Sequence, residues 1–261
     1  MSAAVDRQFA STLARGLSVL RCFTVNDIAL GNRDIASRTG LPKATVSRLA
    51  YTLTTLGYLR FVPELGKHGR YALGSALISI SHPLLANLGL RQLARASMHA
   101  MAEELQACVG IWMRERTNMV CIEIAQAARQ EPIGPDIGGT APIAQSLAGA
   151  AYSACVAHWQ SVAGSDGVRD DELAIPNGGN RLLKREMACH ARLGFCVDSG
   201  RLAPGTQTVA SALRHPRAND IFVFTCSIAS GSEGRVTGLN DLGKMLLRIV
   251  RATELALAES R

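Results

Sequence analysis

The stretch that most constrains this chain is residues 38–59, RTGLPKATVSRLAYTLTTLGYL. A helical pattern stops at Gly40 and resumes within three residues. Gly40 can take the left-handed conformation that ends a helix. Leu41 can plug the corner, and Pro42 is tolerated at the first position of a new helix, where its missing N–H has no partner to lose. In the helix that follows, over about 42–56, Val46, Leu49, Leu53 and Leu56 recur at the spacing of a buried stripe. Another face carries Ala44, Ser47, Arg48 and Tyr51, with Lys43 and Thr45 at its leading end. Upstream, Leu13, Leu17 and Leu20 predict an amphipathic helix from about Ser11 to Phe23. After a loop, residues 32–39 predict a short helix capped at Gly31 or Asn32, with Ile35 and Ala36 inward. Helix, tight turn and protruding second helix is the helix-turn-helix arrangement.

The face so defined has the chemistry of a groove reader. A major groove admits one helix whose leading side chains are small enough for close approach, and Ala44, Thr45 and Ser47 are small. Arg48 can donate two hydrogen bonds to a guanine edge or clamp a phosphate, whereas Lys43 suits phosphate neutralisation. Gly57 then ends the helix. Two strand-like runs, Tyr58–Val62 and Arg70–Leu73, flank a Gly- and charge-rich turn over Pro63–Gly69. This predicts a β-wing whose tip offers Lys67, His68 and Arg70 to phosphate or the minor groove. Charge placement agrees: residues 1–74 hold ten basic and four acidic groups, the remainder 18 and 17, in a chain of net charge +7. One end is built to meet a polyanion.

The order ARGLSVLRCF, DIASRTGLPKATVSRLAYTLTTLGYLRF and GRYALG resembles the winged helix-turn-helix of IclR-type bacterial transcription regulators. Its most specific part is the run Leu41, Pro42, Lys43, Ala44, Thr45, followed by Arg48 and Leu49. The resemblance implies a winged DNA-binding domain over residues 10–74, a linker helix over 75–89 and a GAF-like effector-binding domain over 90–261. The predicted fold class is therefore α+β.

The remaining chain supports that class independently. A helix at about 75–82 is expected to break or kink at Pro83, and a longer one runs over about 90–106. Apolar runs at Cys108–Arg114 and Met119–Gln126 predict a hairpin, and Ile133–Ile137 another strand. A small-residue helix begins near Gln145 after a Gly-rich turn. Residues 177–194 predict a helix with Leu182, Leu183, Met187 and Leu193 inward. Strands are expected at Phe195–Ser199, Thr208–Leu213 and Ile221–Ile228, and a last helix over about 239–258. Strands at non-crossover spacing between long helices imply a mainly antiparallel sheet.

The segments GGTAP…AGAA, LGFCVDSGRLAPGT and FTCSIASG resemble the family's Gly-rich turn and helix start, its Asp-containing segment and its late strand. The resemblance implies an effector site lined by Gly139, Leu147, Ala148, Asp198, Thr208, Thr225 and Ser227. Ala150 stands where the family usually has Lys or Arg. Arg201 adds a cation near the mouth, which with the hydroxyls points to a small organic acid as effector. Residues 211–220 lack the family's Ala-Pro before a turn.

There is no GxSxG, HExxH, P-loop or GxGxxG, and the six histidines lack ligand spacing. Ser146 has no His or acid placed near it in sequence. The expectation is no catalysis, no cofactor and no metal. Seven cysteines without a CxxC predict reduced thiols. No apolar run of membrane-spanning length appears, and MSAAVDRQFASTLARGL lacks an uninterrupted apolar signal region, so a cytoplasmic protein with no membrane partner is expected. The reading is a DNA-binding transcription regulator, dimeric or tetrameric, acting on a pseudo-palindromic operator. The alternatives are a small-molecule sensor or enzyme whose winged helix mediates protein contacts, and an architectural binder without sequence preference. The large, nearly neutral second region speaks against the latter.

Overall fold

The computed structural model describes residues 9–65, 69–128, 133–134, 136–163, 181–218, 220–231 and 238–259. They divide into two compact units, Met1–Asn87 and Leu88–Arg261.

The first unit begins with α1 (Ser11–Arg21), α2 (Asn32–Thr39) and α3 (Lys43–Thr55). The α2–α3 turn follows its sequence logic. Gly40 takes φ 70° and ψ 8°, and its N–H returns to the Ala36 carbonyl. Pro42, expected at the first helical position, sits one residue earlier as the cap of α3, with extended ψ of 141°. At the start of α2, the Asp34 carboxylate accepts the Gly31 N–H at 3.0 Å. Strands β1 (Leu59–Val62) and β2 (Arg70–Leu73) pair antiparallel, Leu59 opposite Leu73. Leu30 bridges to β2 through reciprocal 2.8 Å bonds with Tyr71. Val19, Leu30, Ile35, Val46, Ala50 and Leu59 form the core.

Two apolar stripes read from the sequence turn out differently. On α1 the buried residue is Val19, while Leu13 and Leu17 are exposed. On α3 the stripe runs through Val46 and Ala50, with Leu49 and Leu53 partly buried and Leu56 exposed. Ala50 fits where α3 meets its neighbours, and Leu56 falls at the cap beyond the last helical residue. The next helix, α4 (Ala76–Asn87), runs through Pro83 rather than ending there, and buries no residue.

The second unit holds a six-stranded sheet in the order β5-β4-β3-β8-β7-β6, with every described pairing antiparallel. Its strands are β3 (Cys108–Glu115), β4 (Asn118–Gln126), β5 (Thr140–Pro142), β6 (Cys196–Asp198), β7 (Thr206–Arg214) and β8 (Ile221–Ala229). Helices α5 (Gly89–Leu105) and α8 (Leu239–Glu259) pack on each other and on the sheet. Helix α6 (Leu147–Ala163), with α7 (Arg181–Leu193) packed beside it, meets the sheet through Trp112, Cys196, Ala210 and Val223. The alternate residues Ile111, Val209, Phe222 and Phe224 are also buried, so the sheet is covered on both faces. This is the α+β architecture expected. Ile133–Ile137 forms no strand among the described residues. The edge strand β5 comes instead from the end of the Gly-rich turn, where Thr140 pairs with Val120. Leu182 and Leu183 were expected inward on α7; their side chains lie outside the described residues.

Candidate nucleic-acid interface and effector site

Helix α3 presents Lys43, Ala44, Ser47, Arg48 and Tyr51 to solvent, Tyr51 at 73% exposure, with Thr45 half-buried at the leading end. The helix is held by its opposite face, so these side chains carry none of the core. Among the described residues, none hydrogen-bonds or pairs with the side chains of Lys43, Thr45, Ser47, Arg48 or Tyr51. Further along, Thr52, Thr54 and Thr55 bond back to the Arg48, Ala50 and Tyr51 carbonyls at 3.1, 2.7 and 3.0 Å. Those hydroxyls are engaged within the helix.

Other cations of this unit are engaged too. Arg38 grips Asp27 through both guanidinium nitrogens, at 2.5 and 2.8 Å, and donates to the Cys22 carbonyl at 2.9 Å. This arginine, helped by the Thr24 hydroxyl and N–H, holds the Asp27 carboxyl well below the usual carboxylate range. Arg70, expected at the wing tip, opens β2 and turns its guanidinium to Asp34 and the Ala29 carbonyl, both at 3.3 Å. Lys67 and His68 lie outside the described residues. The arrangement leaves Lys43 and Arg48 as uncompensated positive charge on one face, flanked by small residues.

The residues expected to line an effector site are placed by strand register. Asp198, Thr208, Ser227 and Cys108 form one row across β6, β7, β8 and β3. The next row is Cys196, Ala210, Thr225, Gly110 and Ile124. The third holds Ala212, Val223, Trp112 and Cys121, and there the sheet meets α6. Thr208 and Ser227 share a hydrogen bond of 2.9 Å. Thr225 Oγ1 accepts the Trp112 indole N–H at 2.9 Å, buried. Leu147 and Ala148 open α6 and are buried in the cluster that holds Trp112 and Val223. Gly139 is laced to β4, its carbonyl accepting the Cys121 N–H at 2.9 Å. The structure therefore brings the seven residues to one sheet face and its flanking turn.

Two details differ from the sequence reading, and a third concerns Ser146. Both oxygens of the buried Asp198 carboxylate are taken, one by the Arg201 N–H at 3.0 Å and the other by the Leu202 N–H at 3.1 Å. Arg201, expected as a cation at the mouth, lies 3.6 Å from the Glu186 carboxylate. Ser146 Oγ accepts the Gly149 N–H at 3.1 Å, the bond of a helix cap.

Sequence reasoning missed Trp112 and Gly110. A Cβ on Gly110 would stand 3.2 Å from both Thr225 Oγ1 and Trp112 Nε1, so its absence leaves room for that hydrogen bond. The signal was the alternation in CVGIWM, which puts Cys108, Gly110 and Trp112 on one side of β3. Burial pushes the thiols of Cys108 and Cys155 up to about 11 and that of Cys121 to about 12. All seven cysteines are free, and no group of described residues could hold a metal ion.

A winged helix-turn-helix with a bare cationic helix face, joined to a sheet-and-helix unit, is the architecture of a DNA-binding transcription regulator. Residues 12–63 match the IclR helix-turn-helix domain. Over 98% of this chain and 97% of the other, the fold superposes on an IclR family transcriptional regulator from Brucella abortus with TM-score 0.76 and 33% identity. The regulator TsaQ1/TsaQ2 of Comamonas testosteroni is 28% identical over 96% of this chain and 89% of its own. An IclR homologue from Microbacterium hydrocarbonoxydans, complexed with 4-hydroxybenzoate, shares the fold at TM-score 0.70 and 20% identity, over 95% of this chain and all of its own. The chain belongs to the IclR family of transcriptional regulators.

Proposed function

We propose that α3 enters the major groove of a pseudo-palindromic operator, with Arg48 reading a base edge and Lys43 neutralising phosphate. Ala44, Thr45, Ser47 and Tyr51 line the same approach, and the wing residues Lys67 and Arg70 touch the flanking backbone, Arg70 by leaving its half-exposed pair with Asp34. The observation that carries this reading is the contrast among the cations: Arg38 and Arg70 face carboxylates, whereas Lys43 and Arg48 face solvent. A homodimer or homotetramer places two such helices about one duplex turn (~34 Å) or a multiple apart. The exposed Phe9, Leu13 and Leu17, spaced four residues apart at and along α1, supply an apolar stripe for a second copy. The working division is DNA-binding domain 10–74, linker 75–89 and effector domain 90–261.

The effector we propose is a small organic acid. Thr225 accepts from Trp112, which leaves its own hydrogen to donate; the Thr208–Ser227 pair leaves one more. The site thus offers hydroxyl donors, while each oxygen of its one carboxylate already accepts a backbone N–H. Such a site prefers a ligand rich in acceptors. The 4-hydroxybenzoate complex on the same fold agrees with this class. Ligand binding shifts operator affinity only by its differential affinity for the two arrangements of the protein. We assign no catalytic step, no cofactor and no membrane partner. We infer a cytoplasmic location, where the DNA it binds lies; no described helix is long and apolar enough to cross a membrane.

Selection of bound sites from random duplex DNA by the full chain, with and without a panel of small acids, tests both halves. The expected product is an inverted repeat whose recovery changes with one acid. Enrichment of no sequence refutes base reading, and heat from neutral ligands alone in calorimetry refutes the acid.

A further inference from the structure

Helix α5 begins where the chain leaves the first unit, and its start is built against the usual rule. Its cap, Leu88, provides no side-chain hydrogen bond, and its first turn has no acidic residue. Instead Arg91 and Arg95 occupy the first two turns, where the helix dipole disfavours positive charge. What compensates them is Glu123, on β4. Its Oε2 accepts from Arg91 Nε at 2.9 Å and lies 2.8 Å from Arg91 Nη2 and 3.1 Å from Arg95 Nη2. The side chain of Glu123 is 5% exposed and that of Arg91 13%, while that of Arg95 is 56% exposed. A buried carboxylate meets two guanidiniums, and the start of α5 is thereby tied to one position on one strand.

That position is not an ordinary one. The β3–β4 register shifts between Ile111 and Trp112: Ile111 faces Glu123, but Trp112 faces Cys121. Ile122 is the extra residue of a bulge, and Glu123 follows it directly. Bulges locally disrupt the ladder and re-aim the strand. Trp112, on the other side of the shift, is the residue bonded to Thr225 in the effector row. We infer that Glu123 is a positioning residue: it fixes the first turn of α5 to the β4 bulge, so that movement of Trp112 at the effector site is felt where the chain departs for the DNA-binding unit. The coupling half of this inference rests on the effector-site reading; the anchoring half does not.

The test uses the full-length protein and Glu123→Gln, with Arg91→Lys and Arg95→Gln as milder variants should the first fail to fold. Amide hydrogen exchange over 89–95 is expected to rise about tenfold or more in Glu123→Gln and less in the other two, with β8 unchanged. Affinity for a duplex recovered by selection is expected to change by about 2- to 30-fold, the range for substitutions remote from both sites, with an unaltered salt slope. A merely structural loss would raise exchange throughout the second unit. Unchanged exchange over 89–95 overturns the anchor. Raised exchange with unaltered duplex affinity overturns the link to DNA. Failure of the unsubstituted protein to bind any duplex counts against the regulator reading alone, since exchange uses neither DNA nor ligand.

Discussion

The two units place their functional residues in opposite ways. In the first, the proposed DNA-reading side chains stand outside the core, on the far face of a helix held by Val46 and Ala50. In the second, the polar residues of the proposed effector site belong to the packed sheet and are already bonded, Thr208 to Ser227, Thr225 to Trp112 and Asp198 to backbone N–H groups. A site on an outward helix face can be changed with little effect on stability. One built into strand register cannot, because each polar group there has a partner that a substitution would strand. The lesson is practical: variants of the first unit report on function directly, whereas variants of the second report on function only once stability has been measured.

The sharpest way to press this contrast is Gly149→Ala. The added Cβ would lie 2.1 Å from the Ile143 carbonyl oxygen, a backbone atom that cannot swing aside. Overpacking of this kind costs about 1–3 kcal/mol or more, read as a lower midpoint in chemical denaturation. Arg48→Ala is expected to lose about 1–3 kcal/mol of affinity for the selected duplex and to relax preference at one base position. Its denaturation midpoint should be unchanged; a shifted midpoint would blur the division between the units. Thr225→Val leaves the buried Trp112 N–H without its acceptor and should destabilise by about 1–3 kcal/mol, with the indole emission altered. If this variant is as stable as the parent, the rows of the second unit are not structurally committed.

The smallest expected effect is on pH dependence. The folded Asp27 carboxyl titrates below the unfolded one because of Arg38, so its contribution is full above the unfolded value of about 4. It is lost as pH falls below that value toward the depressed one. Asp27→Asn should therefore flatten the acid limb of the first unit's stability and leave neutral-pH groove chemistry unaltered. A steeper acid limb in the variant would contradict the pairing.

How much of this was legible beforehand follows from where the information lies. Gly40, Pro42 and the Lys43–Thr55 helix are local: turn chemistry and a 3.6-residue period specify them. The strands β7 and β8 were readable for the same reason, as apolar runs. Leu13, Leu17 and Leu56 misled because spacing marks an apolar face without saying whether a neighbour covers it. Thr140–Pro142 escaped notice because an edge strand of three residues has no pattern of its own. In the proposed effector site, resemblance supplied Thr208, Thr225 and Ser227. It could not supply Trp112 or Arg201's carboxylate partner, which depend on pairing between residues apart in sequence.

One titration bears most directly on the central claim, that Lys43 and Arg48 meet DNA. The full-length protein is titrated with its selected duplex across a range of salt, beside Lys43→Ala. The account predicts a linear fall of log affinity with log salt, and a slope smaller by about one in the variant, with every sequence weakened alike. A salt-independent titration, or identical slopes for the two proteins, would contradict it.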